Sequence, residues 1–384
     1  LKLALACKDY FRYFLAPRIP DLPGLFYVPY WRHRGILYFF ESDGRIRHRV
    51  IDSNSRATAA AFLPRSLGVR PQALKLQFVT PSTIGRFCKP NFRLDQVEAH
   101  ISNRYDLISN SPSADFFHAA VLGETLSLIY SPVTVQDNVL YDAILDRPVA
   151  KVPEAAIRRL ENSAQPSDSL ERMRFVAALC PQCGWDLQGD KDSLVLFCSN
   201  CDLCWALGNE GLTRLAASIS GEAKDADLLL PFWRILVGAE GIDLDTYAGF
   251  VQLANLPRIV AGPAAHRRLY FWIPAFKLNP RLFLRLARLM MLAQPEEGSA
   301  IKRSKLPFYP VTLPVKEAAA AIRVIIADLC VPKRQILVRF AGVKTKSVEE
   351  SLTYFPFTVR GSEVIHDEMQ ISLNRNALEL GRLI

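Results

Sequence analysis

Apolar positions recur at two different periods along this 384-residue chain, and the change of period divides it. Up to about residue 150, short runs rich in Val, Ile, Tyr and Phe ("GILYFFES", "ALKLQFVT", "TLSLIYS", "NVLYDAIL") are punctuated by Pro, Gly and Asp and read as strands. In "GRIRHRVID" (44–52), Arg45, Arg47 and Arg49 alternate with Ile46, His48 and Val50, which places three guanidiniums on one face of a strand. Two helical stretches follow, "VPEAAIRRLENS" with Pro153 and Glu154 at its start, and "DSLERMRFVAAL" opening on Asp168 or Ser169.

Beyond residue 225, strands mix with two clearer helices. "NPRLFLRLARLMMLAQP" has Asn279 as N-cap, Pro280 at the first helical position and Pro295 as a stop. Arg281, Arg285 and Arg288 fall on one of its faces and Leu282, Leu286, Leu289 and Met290 on another, as expected for a helix packed on its own domain or, as the alternative, lying on a membrane surface. "LPVKEAAAAIRVIIADLC" (313–330) is Ala-rich and helix-forming. An aromatic residue followed closely by proline and a β-like run recurs in "YVPYW", "YSPVTV", "PFWRI", "WIPAF", "FYPVTL" and "YFPFTV". Proline donates no amide proton, so these are expected to be strand starts or edges. They fit either two related β-domains or one favoured way of entering a strand.

The resulting fold class is α+β: a β-rich N-terminal domain (1–150), a helical connector (151–175), a cysteine module (176–210) and a mixed α+β domain (225–384). Half of the residues are hydrophobic, which is enough for two or three ordinary cores. No run reaches the roughly 18 apolar residues of a membrane-crossing helix. The opening "LKLALACKDYFRYFLAP" lacks the cleavage pattern of a secretory signal.

Charge sharpens this picture. The first 100 residues hold 16 Lys/Arg against 7 Asp/Glu, so they carry the whole net charge of +9. Arg32 and Arg34 in "YVPYWRHRG", with Arg45, Arg47 and Arg49, are the candidate contacts for an anionic partner: nucleic acid, a lipid surface or an acidic protein. The plain alternative is a solvated face of a half-buried sheet.

Five of the eight cysteines lie within residues 180–204. Cys180-x2-Cys183, then Cys198-x2-Cys201, supplies two thiolate pairs, the set that a tetrahedral zinc accepts. The stretch "CPQCGWDLQGDKDSLVLFCSNCDLCW" resembles the zinc-ribbon family, which implies two short hairpins clamping a structural Zn2+ through those four residues. Cys204 extends the second pair to C-x2-C-x2-C, part of the run that holds iron–sulfur clusters, so it is a candidate extra ligand and iron a candidate metal. Metal-type pairs point to a reducing compartment, hence a cytoplasmic protein, with the inner membrane face as a docking place. Cys7, Cys88 and Cys330 read as buried thiols, although Arg86 and Lys89 beside Cys88 are placed to lower its pKa.

Catalytic motifs are missing: no G-x-G-x-x-G, P-loop, G-x-S-x-G or H-E-x-x-H occurs, and His33, His48, His100, His118, His266 and His366 are isolated. "HDEM" (366–369) reads as an acid/base cluster or, more plainly, as a solvated turn. The expected function is a non-enzymatic scaffold or accessory subunit docking a larger protein assembly. A nucleic-acid-binding protein and an iron-containing electron-transfer subunit are the alternatives. Against nucleic acid at the ribbon itself, residues 176–210 hold Lys191 as their single cation against Asp186, Asp190, Asp192, Asp202 and Glu210.

Overall fold

The computed structural model describes residues 3–5, 10–20, 22–40, 45–68, 75–91, 119–170, 175–208, 211–221, 226–239, 244–257, 259–301, 306–331 and 345–382. Cys7, His100 and His118 lie outside them. The first half contains β1 (Leu3–Leu5), β2 (Phe11–Leu15), β3 (Phe26–Phe40), β4 (Ile46–Arg56), β5 (Leu76–Phe78), β6 (Arg86–Cys88), β7 (Ala119–Gln136), β8 (Val139–Asp142), β9 (Arg147–Lys151), α1 (Glu154–Ser163) and β10 (Ala164–Pro166). Nine of these strands form one sheet along the path β10-β6-β3-β7-β2-β5, with β4 on β3 and the β8–β9 hairpin on β7. The middle holds β11 (Phe175–Ala177), β12 (Val195–Cys198), β13 (Leu203–Leu207) and β14 (Leu212–Leu215). The second half runs β15 (Ala217–Ile219), β16 (Leu228–Ala239), α2 (Tyr247–Leu253), β17 (Tyr270–Pro274), α3 (Pro280–Ala293), β18 (Ser299–Ala300), α4 (Val315–Leu329), β19 (Thr345–Arg360), β20 (Glu363–His366), β21 (Ile371–Asn374) and α5 (Arg375–Gly381). The fold is α+β, as the periods imply.

The two halves are copies of one plan, and the register establishes it. In β3 and β7, Pro29 stands opposite Tyr130, Trp31 opposite Leu128 and Arg32 opposite Ser127. In β16 and β19, Pro231 stands opposite Tyr354, Trp233 opposite Leu352 and Arg234 opposite Ser351. A parallel strand then joins the same side of each pair, β2 on β7 and β15 on β19, and a short antiparallel strand follows it, β5 and β18. On the other side, the amides of Ala57 and Ala275 each reach the carbonyl of the equivalent proline at 3.0 Å. A hairpin and a helix close both copies: Val152 N–H bonds the Asn138 carbonyl and Arg375 N–H that of Ser362. Of the two readings of the recurrent aromatic–proline pattern, related β-domains is therefore the right one.

The prolines are not strand starts, however. Pro29 is the fourth residue of β3, which pairs with β6 at Phe26 and Tyr27 and with β4 from Tyr30 onward. A strand residue's amide and carbonyl point to the same side. Pro29 sits where one neighbour ends and the next begins, so the missing N–H leaves no carbonyl unpaired. Pro231 occupies the same gap, between Leu229 bridging Phe308 and Phe232 opposite Pro274.

The second expected connector helix does not form over its described C-terminal part. Ser167–Ser169 is a single 3-10 turn, and Phe175–Ala177 is extended, pairing antiparallel with Leu3–Leu5. Strand pairing outweighs a modest helical preference there. Both later helices form. The Asn279 side chain accepts from Leu282 N–H, and α3 buries Phe283, Leu286, Met290 and Met291 while exposing Arg281, Arg285 and Arg288.

One large core draws on the whole chain. β3 and β7 outrun their own half, so Ile36, Tyr38 and Leu122 are buried with Phe232, Phe271, Phe283 and Ile322 of the second half, as are Val195 and Cys204 from the middle. The Tyr38 hydroxyl also reaches the Pro280 carbonyl. Each such side chain contributes about 1.5–3 kcal/mol by leaving water.

Candidate metal centre

Two turns of the same construction face each other. In the first, Gly184 N–H bonds the Cys180 carbonyl at 2.8 Å and Gly184 adopts φ +74°. In the second, Asp202 N–H bonds the Cys198 carbonyl at 2.9 Å and Asp202 adopts φ +55°. A left-handed residue four positions after the leading cysteine turns the chain back, so both sulfurs of a pair point into the same space. Gly and Asp tolerate that conformation, which is why Gly184 follows the first pair directly. Cys180 N–H to the Trp185 carbonyl, and a two-way bridge between Gln188 and Phe197, tie the turns to β12.

The Sγ atoms of Cys180, Cys183, Cys198 and Cys201 all lie within 4.8 Å of one another, and those of Cys183 and Cys198 are 3.6 Å apart. Four sulfurs on a tetrahedron around an ion at ~2.3 Å would stand about 3.8 Å apart, so the cluster is compatible with a metal-binding knot. Cys180 and Cys198 are buried and Cys183 is exposed, which leaves one side of the knot open to solvent. Hydrogen bonds from Cys201, Asn200 and the Trp185 backbone bring the Cys183 thiol down to about 6. Cys201, which gives its proton to that bond, is held up to about 12.

Cys204 stands apart from the four. Along β13 the side chains alternate, so Leu203 and Trp205 pack with the knot while Cys204 turns into the large core that also holds Leu229 and Tyr354. Burial raises its thiol to about 12. Cys88 is likewise buried and raised to about 12, because loss of hydration outweighs the neighbouring Arg86; it is not an activated thiol. Cys330 is buried in the large core.

The other face of this module is its attachment to the second half. Leu194 N–H bonds the Val311 carbonyl at 2.7 Å, and the Phe197 and Phe308 rings lie 5.1 Å apart. Asp192 receives two bonds from the Arg382 guanidinium, and Asp190 pairs with the same group at 2.9 Å. The acidic character noted in the sequence is thus spent partly on holding the end of α5.

The candidate cationic contacts scatter in role. Arg32 makes a bidentate pair with Asp52, at 2.8 and 2.6 Å. Arg34 lies 3.8 Å from the same carboxylate with 42% of its side chain exposed. Arg45, Arg47 and Arg49 are exposed at the outer end of β4, but so are His48 and Val50 between them, because this edge strand pairs only with β3. His366 is 7% exposed and lies edge-on to Phe357, its Nδ1 accepting from Met369 N–H, while Asp367 pairs with Arg360. "HDEM" is the turn of the β20–β21 hairpin.

Sequence reasoning missed one further cluster. Gly123, at a bulge in β7 with φ +69°, offers its amide to the Glu317 carboxylate and its carbonyl to Lys277 Nζ at 3.3 Å. Burial lowers the Lys277 pKa, opposed by Glu317. The pair comes from α4 and the segment before α3, so it rivets the second half to a strand of the first.

No protein-family model matches this chain, and no curated protein or solved structure matches it either. Among the described residues no helix is long and apolar enough to cross a membrane.

Proposed function

We propose that this chain is a non-enzymatic binding subunit in which a structural zinc ion, held by Cys180, Cys183, Cys198 and Cys201, locks a central ribbon between two copies of one β-sheet. The observation that carries this reading is the four-sulfur knot on two matching turns whose opposite face is built into the second half's core. Four thiolates in a closed set suit zinc in a structural role better than in a catalytic one, which keeps a position for water or substrate. The long strands β3 and β7, riveted at Gly123, support the same view: the buried polar groups are used to fix one half against the other. His366, the one histidine in a candidate acid/base cluster, is committed to packing.

The test is metal analysis joined to a variant. Purified protein should hold one colourless zinc per chain, and Cys183→Ser should lose it together with the amide-exchange protection of Val195–Leu207, because metal binding there is folding free energy. Unchanged protection in a metal-free Cys183→Ser chain would overturn the structural role. A brown or red iron-containing sample would overturn the zinc assignment.

A further inference from the structure

The duplication supplies an internal control for surface residues. Opposite Ser127, Ile129 and Tyr13 respectively, the first copy places Phe11, Tyr13 and Phe78. Their rings form one cluster with centroids 4.8 to 6.3 Å apart, and Phe11 and Phe78 are 37% and 55% exposed. At the Tyr13 and Phe78 register positions the second copy has Ser218 and Ala300, with Ser218 bonded to Thr353, and two residues before Ser218 stands Ala216, whose carbonyl accepts from Leu352 N–H. One copy of the fold therefore stands without rings at these positions, so the plan itself does not require them.

Cations share the aromatic face. Registered neighbours across a sheet point the same way, so Phe11 shares its face with Arg32 and Tyr13 shares its face with Tyr30 of β3; Tyr30 is buried and Arg32 is paired with Asp52, which leaves the rings as the exposed part of that face. Two residues along β3 comes Arg34, and beyond Val50 on β4 comes His48, which lies beside Arg281 of α3 and loses proton affinity through burial and that neighbouring charge. The copies differ at Arg34, which corresponds to Leu236, whereas Arg32 and its counterpart Arg234 are both engaged, Arg32 by Asp52 and Arg234 by the Tyr270 ring at 3.4 Å with Glu297 and Glu349. Exposed rings at one edge of a sheet, with the exposed guanidiniums of Arg34 on β3 and Arg281 on α3 farther along, match what stacks bases and follows phosphates.

We infer that the first copy's sheet edge binds single-stranded nucleic acid, with bases stacked on Phe11, Tyr13 and Phe78 and the phosphate backbone running past Arg34 toward Arg281. The chemistry is a polyanion with planar, sequence-tolerant faces; nothing on the track reads base edges. This inference rests on the reading of the chain as a binding subunit and names its partner.

The experiment is fluorescence anisotropy with a labelled oligothymidylate of about 15 nucleotides, titrated at several salt concentrations against metal-loaded full-length protein. Phe11→Ala, Tyr13→Ser and Phe78→Ala together install the second copy's residues; this variant should keep its metal content and melting temperature while affinity falls about tenfold or more. Arg34→Gln should reduce the slope of log K against log salt by about 0.7. Failure of metal-loaded wild-type protein to bind the oligonucleotide overturns the inference and leaves the zinc-locked subunit standing. Unchanged affinity in the folded triple variant overturns the stacking site. Binding to phosphatidylserine vesicles in place of the oligonucleotide overturns it in favour of a lipid surface.

Discussion

Glu317→Gln probes how the two halves are joined. The Glu317 carboxylate takes the Gly123 amide and balances the Lys277 charge, whose Nζ holds the Gly123 carbonyl. The amide replacement keeps the shape and removes the charge, leaving an unbalanced ammonium in a half-buried site. Removing one partner of a buried pair costs roughly 3–5 kcal/mol. Lys277 is only half-buried, so about 2–3 kcal/mol is the expected loss at pH 7. The pH dependence follows from the depressed Lys277 pKa. Between that value and the unfolded 10.5 the unfolded chain binds more protons, so stability rises with pH across this window. Without Glu317 the folded pKa drops further, so the loss should shrink by pH 10, and Lys277→Met added to Glu317→Gln should restore much of it. Urea unfolding followed by tryptophan fluorescence at pH 7 and pH 10 reads both effects. A loss under about 1 kcal/mol, or one equal at both pH values, would refute the charge-balance reasoning.

Two other substitutions test separate features. Burial lowers the His366 pKa below 6.5, so its neutral form stabilises the fold above that pH and the contribution is lost as pH falls through the folded value. His366→Phe should flatten thermal stability between pH 7 and 5, and an unaltered pH profile would contradict it. Gly381 packs its Cα directly on the Lys277 backbone with no room for a side chain, so Gly381→Ala should destabilise the packing of α5 by roughly 1–3 kcal/mol, seen as faster amide exchange in Arg375–Gly381.

The four-cysteine cluster was legible in the sequence because its geometry is local: C-x2-C followed by a residue that tolerates positive φ is a complete turn. The helices at Pro280 and Val315 were legible for the same reason, through caps, prolines and period. The duplication was only half legible. Ser-Leu-x-Tyr-x-Pro-x-Thr-Val occurs at 127–135 and at 351–359, and Pro-aromatic-Trp-Arg at 29–32 and 231–234. The two pairs are offset by different lengths of intervening chain, so strand register was needed to align them. The role of Cys204 required knowing which face of β13 met the core. Lys277, Glu317 and Gly123 carry no pattern at all, since three segments bring them together. The strand at Phe175–Ala177 escaped because its partner lies at residues 3–5, far back in the chain.

The most direct test of the account is elemental analysis of the purified chain together with its absorption spectrum. One zinc per chain and no visible absorption is the predicted result, lost on Cys183→Ser. Iron with visible charge-transfer bands, or a well-folded chain carrying no metal, would contradict the central claim.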